Sequence, residues 1–336
     1  CVVVAVLRCA QRLKRDSILL YERAMDRPLT MHKGQLRTTS VYGLSLYNKR
    51  FNDQGNTVRL IDEGFVKVSH TFSLDVRYGL SDFVQFTTQI TFKQENQRGN
   101  EFVIINDYDP SVVVQNKVET TGLEDLLIAT ELRAPFTPKN IDVVLFMGAT
   151  LPTAKAEPSQ LKHTVRSDTD FNTIIYHYRN HWGQGVPCIT AGLRSKFRAK
   201  NWAYSVSGEY WHPTKEGNSK SWKHQLYGSN FTYYESEYTY ALPRRFNFAG
   251  EIEHQPLPWV AVSLGGDVTK YAKGWSTISS RKVQSNEARL VSLSMAIELL
   301  VTHQLWLKQR FLFSLAGENQ FAPFIIYTSL TYNLFP

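Results

Sequence analysis

The chain has 336 residues, 43% of them hydrophobic and 13% aromatic, and its 38 Lys and Arg against 30 Asp and Glu leave a formal charge of +8. That aromatic content excludes a disordered chain, and no apolar run approaches the roughly 18 to 20 residues that a membrane-spanning helix needs. Mean hydropathy is negative, so the averages describe a water-soluble globule, but the order of the residues does not.

Residues 1–34 stand apart and are expected to form an N-terminal periplasmic segment, either a tether or a plug for the domain built by residues 35–336. Ser17 is placed to cap a short helix through Ile18, Leu19, Leu20, Tyr21, Ala24 and Met25. Cys1 fits two accounts, the acylated first residue of a bacterial lipoprotein or an arbitrary chain boundary; on the first, Cys1 is the site of lipidation. With only Cys9 and Cys188 besides, there is no disulfide framework and no zinc-type spacing.

From Gln35 onward the chain alternates. After a first strand at Gln35–Tyr47, Val66, Val68, Phe72, Leu74, Val76 and Tyr78 share one parity, and Lys67, Ser69, Thr71, Ser73, Asp75 and Arg77 the other. Val84, Phe86, Ile90 and Phe92 repeat the pattern, as do Ile141–Leu151, Ile189–Arg198 and Trp202–Tyr210. Val291–Leu299, Lys308–Leu315 and Phe324–Leu334 complete it. Successive side chains of a strand point to opposite faces, so each run is a strand with one apolar and one polar face. Phe246–His254 and Trp259–Lys270 keep one phase across Pro256 and Pro258, which reads as one long strand kinked by its prolines. That reading gives twelve strands, and taking Phe171–Tyr178 as another gives fourteen.

These strands are long enough to cross a tilted bilayer. Connections at 48–63, 94–121, 152–185 and 212–228 are long and polar, whereas 79–82, 135–140, 199–201 and 243–245 are short, the asymmetry of outer-membrane barrels. Aromatics such as Tyr42, Tyr78, Trp202, Tyr210 and Trp259 gather near strand ends, as headgroup-level rings do. The expected fold is therefore all-β: a transmembrane antiparallel up-and-down β-barrel over 35–336, in the bacterial outer membrane.

Short motifs carry a resemblance. Tyr78-Gly79-Leu80-Ser81-Asp82, Gly122-Leu123-Glu124-Asp125 opening a strand through Glu131-Leu132-Arg133, Leu151-Pro152-Thr153 and Gly250-Glu251 resemble the MetA-pathway-of-phenol-degradation family, outer-membrane transporters of Gram-negative bacteria. The resemblance implies a transport barrel and no catalytic chemistry.

A Lys or Arg facing mid-membrane lipid costs roughly 2–4 kcal/mol, so the charged face is read as the lumen. Its lining is expected to include Lys67, Arg77, Lys93, Glu131, Arg133, Arg194, Lys196, Arg198, Glu209, Glu235, Glu237, Glu251 and Glu253. These residues interlock as ion pairs or select solutes by charge, and the two roles are not exclusive. His177 and His181 do not converge on a metal from a loop or strand, and no cofactor is expected. His70 lies on the apolar face opposite Ser69 and Ser73, which disfavours a nucleophile–base pair and an enzyme. No basic stripe with interleaved aromatics suggests nucleic acid. Basic outer loops carrying Lys155, Lys215, Lys220 and Lys273 point to lipopolysaccharide as a partner beside the bilayer itself. The function expected is a porin-like channel or transporter for small solutes, hydrophobic or aromatic ones among them. The alternative is a plugged structural barrel or lipid-anchored subunit of a larger envelope complex.

Overall fold

The computed structural model describes residues 29–60, 65–102, 113–135, 138, 140–153, 157–166, 171–180, 185–227, 230–278, 281–302 and 304–334, and among them every regular element is a strand. Side chains are described except at 65, 97–120, 154–184, 219–238, 276–281 and 283 within that span.

Strand β1 (Leu36–Phe51) climbs to the end of the barrel where the long connections lie, and β2 (Thr57–Arg59) folds back on its tip. β3 (Phe65–Gly79) descends, and β4 (Val84–Phe102) rises beyond the wall to pair there with β5 (Val113–Leu123). β6 (Leu126–Arg133) and β7 (Ile141–Leu151) form the next hairpin. β8 (Glu157–Arg166) and β9 (Phe171–Asn180) pair with each other before β10 (Cys188–Ala199) and β11 (Trp202–Pro213) continue the wall. In the same way β12 (Gly217–Tyr227) and β13 (Asn230–Ala241) precede β14 (Arg245–Leu257) and β15 (Val260–Tyr271). β16 (Trp275–Ile278) and β17 (Arg281–Gln284) precede β18 (Ala288–Thr302). β19 (Leu305–Glu318) and β20 (Gln320–Leu334) finish the barrel, joined at Asn319 with a φ of 52°.

The wall closes because β1 pairs with both β20 and β3: Leu44 lies opposite Ile326 on one side and His70 on the other. The result is a closed antiparallel barrel of 12 strands, with β2 and β5 attached outside its path. The hairpins β8–β9, β12–β13 and β16–β17 join edge to edge into a second sheet of 6 strands.

The strand count of twelve stands, but it arises differently from the sequence reading. Phe246–His254 and Trp259–Lys270 are two wall strands, β14 and β15, and not one kinked strand. A register shift between His254 and Leu257, followed by the Pro258-Trp259 turn, keeps both strands in one phase, which made them look continuous. The Gln255 side-chain amide donates to the Pro258 carbonyl at 2.7 Å and holds that turn. Phe171–Tyr178 does lie in a strand, β9, but that strand belongs to the second sheet and adds nothing to the barrel. The connection at 243–245 is not a turn at the short-loop end: residues 242–244 link β13 to β14 at the long-loop end.

The parity of side chains makes this protein inside out. Phe248, Leu315, Ile189 and Leu193 are 61%, 59%, 54% and 53% exposed on the outer face. Gln85, Asp142, Thr190 and Asn333 are wholly buried on the inner one. Such a distribution is unstable in water and stable in lipid, where an apolar outer band costs nothing. Leu264, 51% exposed and midway along β15, tests the outer face. Leu264→Arg is expected to destabilise the folded barrel by about 2–4 kcal/mol in lipid vesicles, read as the urea midpoint of the heat-modifiable gel band, whereas Leu264→Phe stays near wild type. Equal tolerance of Arg and Phe would remove Leu264 from the lipid face.

Candidate functional site

The inner face carries charges on nearly every wall strand, and they meet across strands. Near the long-loop end Lys67 pairs with Glu95 at 2.5 Å, and Lys93 joins the same carboxylate at 3.4 Å. At mid-height Arg194 bridges Glu131 at 3.2 Å and Glu209 at 2.7 Å, with its guanidinium 4.7 Å from the centre of the Phe146 ring. Arg77 is held by Asp75 at 2.7 Å. Towards the short-turn end Asp142, wholly buried, takes both Arg133 and Arg198. Across the lumen Glu251 accepts Lys308 at 3.3 Å and Arg310 at 2.5 Å, and Lys308 also reaches Glu298 at 3.9 Å. Lys196 and Glu253 stand 4.0 Å apart. Charges desolvated this far are tolerable because each has an opposite charge and hydrogen bonds.

Among the described residues, two cavities lie between these pairs. One, of about 330 Å³, is bordered by Arg37, Arg77, Lys196, Glu253, Trp306 and Lys308. The other, of about 240 Å³, is bordered by Arg194, Ser207, Glu251, Asp267, Ser294 and Arg310. Leu29 lines both.

Leu29 stands there because residues 29–35 enter the barrel at the short-turn end and are tied to its wall residue by residue. The Leu29 N–H donates to Asp142 at 3.3 Å, and the Met31 N–H to the Gln85 side-chain carbonyl at 2.7 Å. Lys33 N–H donates to Asp82 at 3.1 Å, and the His32 ring lies 3.4 Å from the same carboxylate. Gly34 and Gln35 exchange backbone bonds of 2.8 and 2.9 Å with Gly79. A Cβ on Gly79 would sit 1.9 Å from the His32 carbonyl oxygen, so only glycine admits the segment at that point. Thr30 and Met31 are 1% and 2% exposed. Gln85 then passes the contact on: its amide donates to Thr87 at 3.2 Å, and Thr87 donates to Glu131 at 3.3 Å. The seat of the segment and the Arg194 network are therefore one chain of hydrogen bonds.

The motif residues have visible tasks. In Tyr78-Gly79-Leu80-Ser81-Asp82, Gly79 and Asp82 receive the N-terminal segment, and Ser81 Oγ accepts the Val84 N–H at 3.0 Å to close the turn. Thr153 of Leu151-Pro152-Thr153 accepts the Leu126 N–H at 3.0 Å, one residue after Asp125. The two motifs thus brace each other at the start of β6.

Of the residues read as lumen-lining from sequence, Lys67, Arg77, Lys93, Glu131, Arg133, Arg194, Lys196, Arg198, Glu209, Glu251 and Glu253 lie on barrel strands in these ion pairs. Glu235 and Glu237 lie on β13, which belongs to the second sheet and not to the wall; their side chains lie outside the described residues. Cys1, the proposed helix from Ser17, and the side chains of His177 and His181 also lie outside them. Sequence reading missed Arg37, Glu95, Glu298, Lys308 and Arg310; the opposed phase of Lys308 and Arg310 against Phe311 and Phe313 was the available signal. His70 hydrogen-bonds Tyr42 at 2.8 Å on the outer face, while Ser69 and Ser73 are buried on the inner one, so the barrel wall separates them.

No protein-family model and no curated protein matches the chain. Solved structures do. The COG4313 outer membrane channel from Pseudomonas putida F1 superposes with a TM-score of 0.61 at 13% identity, over 91% of this chain and 97% of that one. A deletion mutant of the TodX monoaromatic hydrocarbon channel gives 0.51 at 8% identity, over 90% of each chain. At these identities the likeness is one of fold: an outer-membrane β-barrel.

Asp142 accepts from two arginines and one backbone N–H, so Asp142→Ala is expected to cost about 3–5 kcal/mol of unfolding free energy by urea titration, and Asp142→Asn less. A second test concerns pH. The Lys33 N–H holds the Asp82 carboxyl below its usual range against the opposing effect of burial, and the charge and hydrogen bond of the His32 ring add to the lowering. A depressed folded pKa means that this tie is complete above the ordinary value of 3.8 and is lost as pH falls below it. Hydrogen-exchange protection of the Lys33 amide is expected to follow that course and to be lost in Asp82→Ala at every pH.

Proposed function

We propose that the chain is an outer-membrane channel of a Gram-negative bacterium that passes small solutes through its lumen, and that it belongs to the MetA-pathway-of-phenol-degradation family that its turn motifs resemble. The observation that carries this reading is the lumen itself: two cavities between paired charges, both bordered by a segment that enters from the short-turn end. A channel needs no covalent step.

The lining supports an assignment of solute class. A bare hydrocarbon would strip water from the paired charges and offer no hydrogen bond in return, at a cost of several kcal/mol. A small aromatic bearing a polar or anionic group meets both needs: its ring can lie against Trp306 and its polar group against Lys196 or Lys308, all on the border of the larger cavity. A cavity of about 150 Å³ holds benzene, so 240 and 330 Å³ suit a single substituted ring. The fold likeness to a monoaromatic hydrocarbon channel supports the aromatic part of this assignment.

The seated segment also favours a second reading, a plugged barrel that serves an envelope complex. Planar-bilayer recording separates the two. A channel should show discrete steps that grow when residues up to Gly34 are removed, and Arg194→Gln with Lys196→Gln should move its reversal potential towards cation selectivity. Silence from both wild type and truncated protein, with envelope proteins co-purifying, would favour the plugged subunit.

A further inference from the structure

We propose that the long-loop rim across β11, β14 and β15 is a binding site for the phosphate of an anionic glycolipid headgroup in the outer leaflet. The proposal rests on the outer-membrane location of the barrel, and on a cleft of about 450 Å³ outside the lumen. Its border carries His212, Lys215, Arg244, Lys273 and Trp275, with Glu216 as the one carboxylate among the described residues.

The cleft is built, and does not arise from loose side chains alone. Thr214, just before Lys215, donates through its N–H and its hydroxyl to the Pro187 carbonyl at 2.9 and 2.8 Å. The Ala272 N–H donates to the Arg244 carbonyl at 2.9 Å and so ties the connection before β14 to the one after β15, placing Lys273 beside Arg244. Gly274 and Ser285 exchange two bonds, of 2.8 and 3.0 Å, that fix the base of the β16–β17 hairpin. Lys282 on that hairpin lies 3.8 Å from the centre of the Trp275 ring, a further cation at the same cleft.

Charge balance distinguishes this cleft from the neighbouring outward cations of β15 and β18. Lys270 and Arg289, outward-facing on neighbouring strands, are already neutralised by Glu287 at 3.6 Å and Glu318 at 3.2 Å. Lys215, Arg244 and Lys273 are exposed and have no ion pair among the described residues. Lys215, Arg244 and Lys273 around Glu216, with Lys282 at the indole and a histidine beside them, make a receptor for a doubly charged oxyanion.

The depth selects a lipid source for that anion. His212 follows the outward parity of Tyr210, which packs on the lipid-facing Phe246 with ring centres 4.6 Å apart. The cleft therefore begins where the aromatic belt ends, at headgroup level, and a phosphate there would sit over acyl chains that the belt already contacts.

The test uses the full chain in phosphatidylcholine nanodiscs doped with bisphosphorylated lipid A, with retained lipid counted by native mass spectrometry. Wild type is expected to retain it. The triple variant K215Q/R244Q/K273Q, shown to be folded by heat-modifiable migration, is expected to bind about a hundredfold more weakly, since each Lys or Arg near an anionic lipid surface contributes on the order of fivefold. Lipid A stripped of phosphate should be retained poorly by both. Equal retention by wild type and the triple variant would overturn the site. Protection of the three side chains by millimolar inorganic phosphate as strongly as by lipid A would assign the cleft to a soluble anion and overturn the lipid. A chain that never enters nanodiscs would instead defeat the membrane location, a separate failure.

Discussion

Backbone hydrogen bonding in a medium without water decides most of this structure. Every N–H and C=O in the wall needs a partner from the chain itself, and the ladder from Leu36 opposite Leu334 to Phe51 opposite Gln320 supplies the last set by joining the first wall strand to the final one. Closure fixes the rest. It forces strand tilt, divides every strand into an outward and an inward parity, and leaves one enclosed volume that must be filled or wetted.

What fills that volume is charge. With apolar residues committed to the outer face, the polar ones turn inward, and they would be untenable there singly. They are arranged in opposed sets such as Arg194 between Glu131 and Glu209, and Glu251 between Lys308 and Arg310. The same pairs that stabilise the barrel line the cavities, so structural interlocking and solute selection are not rival roles for these residues. A solute that displaces water from Arg194 or Lys308 has to replace the hydrogen bonds that it removes, which is a filter by chemistry as well as by size.

The parity of the wall was legible because lipid enforces it strictly: a misplaced Lys would be costly, so few are misplaced. Which sheet a strand joins was not legible. Glu235 and Glu237 alternate with aromatics as a wall strand would, yet β13 pairs with β12 and β16 beyond the barrel, and alternation carries no information about partners. Local geometry misled in the other direction at Pro256 and Pro258, where a bulge and a turn together preserve phase and conceal a hairpin. The entry of residues 29–35 left no periodic trace at all, because it is held by backbone donors that any sequence possesses.

Its receptor did leave a trace. Gly79 and Asp82 lie in a turn that would close with other residues, since the Ser81 hydroxyl and the Leu80 and Ser81 N–H groups bonded to the Val84 carbonyl close it. Their identity is explained by what they receive: a carbonyl too close for any Cβ, and an N–H that needs an acceptor. From there Gln85 and Thr87 lead to Glu131 and so to Arg194, without leaving the lumen wall. Moving the segment out would therefore free a Gln85 acceptor and loosen the acid that positions the central arginine. Access to the lumen and the charge that a solute meets there are set by the same contacts, and a change in one is a change in the other.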